Sequence, residues 1–394
     1  KHINPKLRVL LIEKNDQLAG NHTWSFHEAD LPKTSQAWLR PLITQSWPGY
    51  WVHFPEYSRE FNSPYHSISS EDLNRRTQQK FGSSIMLNTE VVHTKFDPLI
   101  EQHLVEIRPA SLTTLNTPHR RQDDGSAPLI EGAEAHLPDE PILLQAETVL
   151  LARGWTDCSN EPVAWQKFVG LEVELEEPHG LSKVSLMDAR VQQIDGYRFF
   201  YLLPWSPTRL LAQDTYYSHH SGLKSERIEQ EITNFIRKQN WRIKSILRKE
   251  AGSLPLSLSL PTGTKQARNP FPSIGAESGY FHPVTGSTAP TLLKQLCAIC
   301  DHSNLTSSSI SRVLRKVEEN SQSRLRYYRL LNRMMFKGTN APQRYKVLAH
   351  LYRMPEPLIE RFYTGQTSIW DQMRILMRKP PIDLGKAIGA LKEK

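Results

Sequence analysis

The stretch LRVLLIEKNDQLAGNHTWSF, residues 7–26, decides how the fold of this 394-residue chain is interpreted. Its apolar run at residues 9–12 is short and bounded by charge, which is typical of a strand buried on both faces of a parallel sheet. Glu13 ends the run, and an acidic residue at the end of the second strand of a dinucleotide-binding unit accepts hydrogen bonds from the adenosine ribose. The alternative is a strand that stops at a charge because it has reached solvent, and the rest of the chain has to decide between the two.

Composition narrows the class of protein and of its partners. The chain has 49 Lys and Arg against 41 Asp and Glu, a formal charge of +8, which favours anionic partners such as lipid headgroups or nucleic acid. It has no run of about 18 or more apolar residues, so we expect no helix that spans a bilayer. Residues 1–6 lead straight into the apolar run, so no signal peptide is expected. Three cysteines are too few for a disulfide framework and predict a reducing, cytoplasmic location.

The middle of the chain has the pattern of an antiparallel sheet. Asp195-Gly196 is a strong signal for a two-residue hairpin. Because this sheet interrupts an α/β pattern, we expect a second domain inserted into the first. Residues 109–141, rich in Pro, Ser, Thr and charge, are predicted to be a mobile surface insertion. A helix is predicted over residues 225–241, and strands are predicted at residues 168–175, 184–193, 197–203 and 209–214.

Two later segments are candidates for binding anions. Residues 273–287 form a polar, glycine-containing loop before an apolar helix, so backbone N–H groups and the helix N-terminus can face a phosphate. Residues 321–353 carry eight Lys or Arg and no Asp or Glu, interleaved with aromatic and aliphatic side chains. That composition favours docking on an anionic membrane surface. The alternative is a helix packed on its own protein with a basic outer face, and no nucleic acid is expected because no recognition motif accompanies the charge.

Five stretches, taken in order, resemble the bacterial lycopene beta-cyclases, which are flavoproteins of carotenoid synthesis. Residues 331–336 (LNRMMF) and 361–363 (RFY) are also similar to the family. The five stretches are residues 9–13 with 20–26 (VLLIE, GNHTWSF), 187–189 (MDA), 196–199 with 203–211 (GYRF, LPWSPTRLL), 214–215 (DT) and 279–286 (GYFHPVTG).

The resemblance implies an α/β fold in which a Rossmann-like FAD-binding domain carries an inserted antiparallel β-sheet substrate domain and a helical C-terminal region. The implied parts are residues 1–160 and 261–310 for the FAD-binding domain, 161–260 for the substrate domain and 311–394 for the basic helices. By similarity, Glu13 binds the adenosine ribose, and no metal is expected. The other implied cofactor contacts are Gly20, Asn21, Gly275, Gly279, His282, Pro283, Thr285 and Gly286.

The resemblance also implies a reaction. Protonation of a terminal double bond of lycopene forms a tertiary carbocation, the neighbouring double bond closes a six-membered ring, and loss of a proton leaves a β-ring. This chemistry needs an acid, a dry apolar tunnel and negative charge near the cation. Reduced FAD is implied as the source of that charge, with NAD(P)H as reductant. The implied partners are lycopene, related acyclic carotenoids and the inner face of the cell membrane.

Two departures from the family pattern predict impaired activity. The opening strand and its G-x-G-x-x-G loop are not in the sequence, so residues 7–26 are expected to form the second strand of the flavin domain. Gln213 stands where the family has the first of two adjacent acids, and an amide cannot protonate an alkene. The role is expected to pass to Asp214, to Asp188 or to the reduced flavin, or to be lost.

Two other functions remain as alternatives. One is an FAD-dependent monooxygenase of the same fold, which would normally carry a Gly-Asp pair where this chain has Gly275-Ala276-Glu277. The other is a non-catalytic, membrane-associated paralogue that binds carotenoid or partner enzymes through the basic C-terminal helices. NADPH oxidation with hydroxylated product would favour the first, and flavin-independent binding to anionic liposomes would favour the second.

Overall fold

The computed structural model describes residues 7–110, 141–154, 163–259 and 271–377. The described helices are α1 (Gln36–Leu39), α2 (Ser70–Phe81), α3 (Ser225–Lys238), α4 (Ala289–Cys300), α5 (Ser307–Glu319), α6 (Gln322–Gly338), α7 (Tyr345–Leu351), α8 (Glu356–Tyr363) and α9 (Ile369–Met377). The described strands are β1 (Leu11–Ile12), β2 (Thr23–His27), β3 (Gln45–Trp47), β4 (Tyr50–Phe54), β5 (Tyr57–Phe61), β6 (Tyr65–Ser69), β7 (Ile85–Met86), β8 (Thr89–Asp97), β9 (Gln102–Pro109), β10 (Ile142–Ala146), β11 (Val163–Leu175), β12 (Val184–Asp188), β13 (Tyr197–Pro204), β14 (Arg209–Ser218) and β15 (Ile243–Ser257).

The chain divides into two compact units. The first contains Lys1–Gly20 and Leu73–Val149, and the second contains Asn21–Asp72 and Leu150–Lys394. The insertion predicted at residues 109–141 lies, from 111 to 140, outside the described residues.

The first unit contains a parallel pair, β1 with β7, and an antiparallel sheet in the order β10-β9-β8. The apolar run that was predicted to be buried on both faces is not buried, since Val9 is 48% exposed and Leu10 is 47% exposed. Among the described residues β1 pairs with β7 alone, so one edge of the strand has no neighbouring strand to cover it. The predicted burial is therefore wrong for these residues.

The second unit is built around a seven-stranded sheet in the order β15-β11-β14-β13-β12-β4-β5. Its neighbouring strands are antiparallel except β12 and β4, which are parallel. Five strands come from the region predicted as an antiparallel sheet, whereas β4 and β5 come from earlier in the chain. A second sheet has the order β2-β6-β3 and is antiparallel.

The hairpin between β12 and β13 is longer than predicted. Strand β12 ends at Asp188, so residues 189–196 form the connection. The side chain of Gln193 accounts for this, because it accepts a hydrogen bond from the Arg198 backbone N–H (3.0 Å) and donates to the Arg198 carbonyl (2.8 Å). The Gln193 side chain thus forms hydrogen bonds with the Arg198 backbone N–H and carbonyl. These groups would pair with the opposite strand if β12 and β13 continued.

The two faces of the large sheet are covered by different helices. On one face α3 packs through Ile228, Ile232 and Ile236, and Phe235 stacks on Phe200 with ring centroids 3.8 Å apart. On the other face β13, β14 and β15 contribute buried side chains to a core shared with α6, α7 and α8. Successive residues of a strand point to opposite faces, so the position of a residue along β14 decides which of these two environments it enters.

The basic residues of the C-terminal helices do not all form an outer face. Arg329, Arg333 and Arg344 are buried, and Arg344 donates to the carbonyl oxygens of Tyr217 and Phe336, both at 3.3 Å. The predicted basic docking surface is wrong for these three side chains because the fold uses them internally. None of the described helices is long and apolar enough to cross a bilayer.

Candidate functional site

A row of residues crosses four neighbouring strands of the large sheet. Tyr201 pairs with Gln213, Gln213 with Gly170, and Gly170 with Glu250. Residues directly opposite each other in antiparallel strands point to the same face. Leu203 and Leu211, one position along on the same face, belong to the core that contains α6 and α7. The row therefore lies on the face opposite α3, and we call it the polar row.

Strand β2 supplies the contacts at the Glu250 end of the polar row. The Thr23 hydroxyl donates to Oε2 of Glu250 at 3.0 Å, and Arg248 donates to the same oxygen at 3.0 Å. Asn21 accepts from Arg248 at 3.1 Å. Burial raises the pKa of Glu250, although Arg248 and Thr23 act in the opposite direction. Asn21 and Thr23 of the GNHTWSF motif thus lie beside a buried carboxyl group that no sequence motif indicated.

In the middle of the polar row, the polar side chain of Gln213 lies next to Gly170, which has no side chain. Gln213 is half-buried, and its amide donates to the Thr215 hydroxyl at 2.9 Å. A Cβ atom at Gly170 would lie 2.9 Å from Cγ of Glu250 and 3.2 Å from its Oε1. Only glycine therefore leaves room for the Glu250 carboxyl group at this position. At the other end, the Tyr201 hydroxyl donates to the Tyr65 hydroxyl at 3.2 Å.

Asp214 lies on the opposite face of the sheet from its neighbour Gln213. Arg198 donates to both carboxylate oxygens of Asp214 at 2.7–3.1 Å, and the Tyr216 hydroxyl donates to it at 2.8 Å. Arg198 also contacts Glu231 of α3 at 3.0 Å. The structure therefore does not bring the two adjacent candidates together, and Asp214 is fully engaged in a buried ion pair under α3.

Asp188, the third predicted catalytic residue, is also separated from the polar row. It pairs in register with Phe200, whose ring stacks on Phe235 of α3. Arg190 donates to both of its carboxylate oxygens, at 2.9 and 2.6 Å. Asp188 therefore lies on the α3 face and is neutralised by a half-exposed arginine.

The predicted cofactor loop begins at a short parallel contact. Leu151 and Ser273 form a parallel bridge, with 2.9 Å hydrogen bonds from Leu151 N–H to the Pro272 carbonyl and from Ile274 N–H to the Leu151 carbonyl. The carboxyl ends of the two segments thus meet, and this edge is where ligands bind in open α/β sheets. Arg153 and Glu277, one from each segment, form a bidentate ion pair there at 2.8 and 3.0 Å.

Three glycines shape this loop. Gly275, Gly279 and Gly286 have φ values of 60°, 63° and 66°, the left-handed region that favours glycine. A Cβ at Gly286 would lie 2.6 Å from Oε1 of Gln166. Gln166 lies on β11 four residues before Gly170, on the same face and about 13 Å along the strand. The loop therefore lies over the face of the sheet that carries the polar row.

The side chains of the HPVT segment hold the loop in place. The ring of His282 accepts at Nδ1 from the Thr285 N–H (3.2 Å) and donates from Nε2 to the Phe362 carbonyl (2.9 Å). The Pro283 carbonyl accepts from the Asn332 side chain. Both ring nitrogens of His282 thus have protein partners, and so do its backbone groups, since its N–H donates to the Ser287 carbonyl (2.9 Å) and its carbonyl accepts from the Gly286 N–H (2.8 Å).

The remaining implied cofactor residues are divided between the units. Glu13 and Gly20 belong to the first unit, where Glu13 follows β1 and accepts from the Asn15 backbone N–H (2.9 Å) and side chain (2.7 Å). Asn21 begins the second unit. In the first unit, the Glu13 carboxylate at a strand end is an acceptor of the kind that binds ribose hydroxyls. In the second unit, the loop of left-handed glycines at the carboxyl edge of parallel segments offers backbone N–H donors of the kind that bind phosphate.

Burial of His282 gives a testable pH dependence. Burial lowers its pKa from 6.5 to about 4, although the Phe362 carbonyl opposes the shift. The unfolded chain therefore takes up a proton between these pH values that the folded protein does not, and stability falls as pH falls through this range. From pH 7 to 5, we expect wild type to lose about 2 kcal/mol more unfolding free energy than His282→Gln. Urea unfolding at both pH values measures this difference, and parallel losses in the two proteins would contradict the assignment.

Comparison with solved structures identifies the fold. The structure matches a geranylgeranyl bacteriochlorophyll reductase-like protein from Thermoplasma acidophilum with a TM-score of 0.57 and 9% identity, covering 98% of this chain and 92% of that chain. It matches a probable FAD-dependent monooxygenase from Pseudomonas aeruginosa with a TM-score of 0.54 and 13% identity, covering 88% and 93%. The chain therefore has the fold of FAD-dependent oxidoreductases and monooxygenases, and the predicted fold class is confirmed.

Comparison with sequences identifies the family. A model of the lycopene cyclase protein family matches residues 1–107 and 129–388. The lycopene beta-cyclase of Pseudescherichia vulneris is 36% identical over 384 residues, which are 97% of this chain and 90% of that protein. The chain belongs to the lycopene cyclase family, as its motifs predicted.

Proposed function

We propose that this protein is a lycopene beta-cyclase, an isomerase-type enzyme that converts the ψ-ends of lycopene to β-rings, giving γ-carotene and then β-carotene. The observation that carries the proposal is the family match, which extends over nearly the whole chain and includes both the glycine loop and the strands of the polar row. Reduced FAD, when bound, supplies negative charge that stabilises a carbocation, and NAD(P)H is proposed as its reductant.

The residues around the polar row suit carbocation chemistry. Tyr201, Tyr65 and Phe168 present aromatic rings on or beside this face, and aromatic faces stabilise cations without trapping them as water does. Leu203 and Leu211 continue the same face as buried aliphatic side chains. We propose that these side chains exclude water from the reacting end of the carotenoid.

The test is conversion of lycopene by the purified full chain. Protein loaded with FAD and kept reduced by NADPH without oxygen is mixed with lycopene in lipid vesicles, and the carotenoids are separated by chromatography. We expect γ-carotene and β-carotene, with no consumption of NADPH in proportion to product. Flavin-loaded protein that leaves lycopene unchanged would contradict the proposal.

A monooxygenase is the second candidate, favoured by the fold match to a probable FAD-dependent monooxygenase. Ala276 follows Gly275 where the Gly-Asp pair of that class has its aspartate, and the carboxylate of the next residue, Glu277, is engaged by Arg153. NADPH oxidation in air that yields hydrogen peroxide or hydroxylated carotenoid, without cyclised product, would favour this candidate. A non-catalytic paralogue would bind carotenoid-containing vesicles without either reaction.

We propose a cytoplasmic protein that binds the inner face of the membrane peripherally, and α9 is the described surface that best supports this. Ile369, Trp370, Met373 and Met377 lie at positions i, i+1, i+4 and i+8, so they share one face of the helix. Trp370 and Met377 are each 75% exposed. Arg374 on the same helix is also exposed and suits anionic headgroups.

Replacement of Trp370 by alanine should weaken membrane binding. Burial of a large apolar side chain in the interface contributes about 1.5–3 kcal/mol, so we expect at least about tenfold weaker binding. Sedimentation with vesicles containing anionic lipid measures the affinity. The Trp370→Phe variant, which keeps an aromatic ring, serves as the control and should bind within about threefold of wild type. Equal affinity of Trp370→Ala and wild type would exclude α9 as the contact.

A further inference from the structure

We propose that Glu250 is the residue that donates and recovers the proton during ring closure. The inference rests on the proposed cyclase function, since cyclisation of a polyene requires an acid that protonates a carbon–carbon double bond. Glu250 is buried at one end of the polar row, on the face that also carries the cofactor loop at Gly286.

Glu250 differs from the other buried acids in the face of the sheet on which it lies or in how its oxygens are held. Asp214 and Asp188 lie on the α3 face, and arginines hold both oxygens of each carboxylate. Glu172 lies on the same face as Glu250, but Arg209 holds its Oε1 and Arg248 holds its Oε2. In Glu250 the contacts from Thr23 and Arg248 both go to Oε2.

The other oxygen of Glu250 points toward the middle of the polar row. The position of a Cβ on Gly170 would be only 3.2 Å from Oε1, so this oxygen lies over the glycine. Gln213 lies beside Gly170 on the neighbouring strand β14, and its side chain is half-buried rather than fully buried. A glycine in the interior of a strand often marks a site where another group approaches closely. Here the approaching group is a carboxyl, and the space beyond it faces Gln213 and Tyr201.

The surroundings of Glu250 suit both protonation states. Burial raises its pKa, which favours the protonated acid before reaction. In the step itself, the O–H bond of Glu250 breaks and a C–H bond forms at the terminal alkene carbon, leaving a tertiary carbocation. The adjacent double bond then closes the ring, and a proton leaves a ring carbon for the Glu250 carboxylate. Arg248 and Thr23 stabilise that carboxylate through Oε2, and no electrons are gained or lost overall.

The experiment compares wild type, Glu250→Gln, Glu231→Gln and the double variant Gln213→Glu/Glu250→Gln. Each is assayed as flavin-loaded full chain with lycopene vesicles, and flavin content and thermal midpoint are recorded. General acid catalysis contributes about 100–10,000-fold, so we expect a loss of that size in Glu250→Gln with flavin content unchanged. Glu231→Gln removes a carboxylate of α3 on the other face of the sheet and should keep the rate within about threefold of wild type.

The outcomes separate this inference from the proposed function. Wild type that forms no cyclised product overturns the cyclase function, and the role of Glu250 with it. Active wild type and a Glu250→Gln variant within about tenfold of its rate overturn the role of Glu250 alone. If Glu250→Gln is destabilised, the double variant shows whether a carboxyl group at this site is required for the reaction. A carboxyl at position 213 reaches the same space across Gly170, so a recovery of about tenfold or more supports the inference, and equal rates of the single and double variants overturn it.

Discussion

Replacement of Asp214 by asparagine is expected to lower the free energy of unfolding by about 3–5 kcal/mol. The Asp214 side chain is fully buried, and it neutralises Arg198, which is buried as well. An amide cannot compensate the guanidinium, so the variant retains an unpaired buried charge, which is what makes breaking such a pair costly. Urea unfolding at neutral pH measures the difference.

The partner Glu231 provides a matched control. It contacts the same guanidinium at 3.0 Å, but its side chain is 37% exposed. An exposed ion pair contributes little, so Glu231→Gln should change stability by less than about 1 kcal/mol. If Asp214→Asn kept wild-type stability but lost lycopene turnover, the buried ion pair would not be needed for stability. Asp214 would then be the candidate for the proton donor.

Replacement of Arg344 by alanine is expected to cost about 2–4 kcal/mol of unfolding free energy. The Arg344 guanidinium lies 4.5 Å from the centre of the Phe336 ring and donates to the Tyr217 and Phe336 carbonyls. Truncation leaves two buried carbonyl oxygens without this donor and creates a cavity between α6 and β14. Burial lowers the pKa of Arg344 to about 10, so it remains charged at neutral pH.

Lys346 is the control for Arg344 because it is a neighbouring basic residue of the same segment and is exposed. Lys346→Ala should change stability by no more than about 0.5 kcal/mol, as is usual for surface substitutions. Chemical unfolding of the two variants side by side tests the contrast. Equal stability would mean that Arg344 contributes only as surface charge, as the amino-acid pattern alone suggested.

Local patterns in the sequence predicted several elements well. The helical spacing of Ile228, Ile232 and Ile236 predicted a helix over residues 225–241, and α3 spans Ser225–Lys238 with these side chains buried. The strands predicted at 197–203 and 209–214 correspond to β13 and β14. These predictions succeeded because amphipathic periodicity depends only on residues close in sequence.

Predictions that depended on distant contacts fared worse. Strand β15 was not predicted, although it pairs with β11 along its whole length and carries Glu250. Signals existed in the interior Gly170 and in the two acids of β11, but no local rule places Glu250 opposite Gly170. Likewise, β1 was expected to be buried because its residues are apolar. Its exposure, however, depends on how many strands lie beside it, and that is set by distant contacts.

The sequence by itself determined the family, through motifs that retain their order along the chain, and it predicted individual elements such as α3, β13 and β14. Only the tertiary structure decided which face each residue occupies. Register is set by pairing between strands far apart in sequence, and a change of one residue moves a side chain to the opposite face. That is why the adjacent Gln213 and Asp214 lie in different environments, and why Gln213 and Glu250, which are 37 positions apart in the chain, belong to one row.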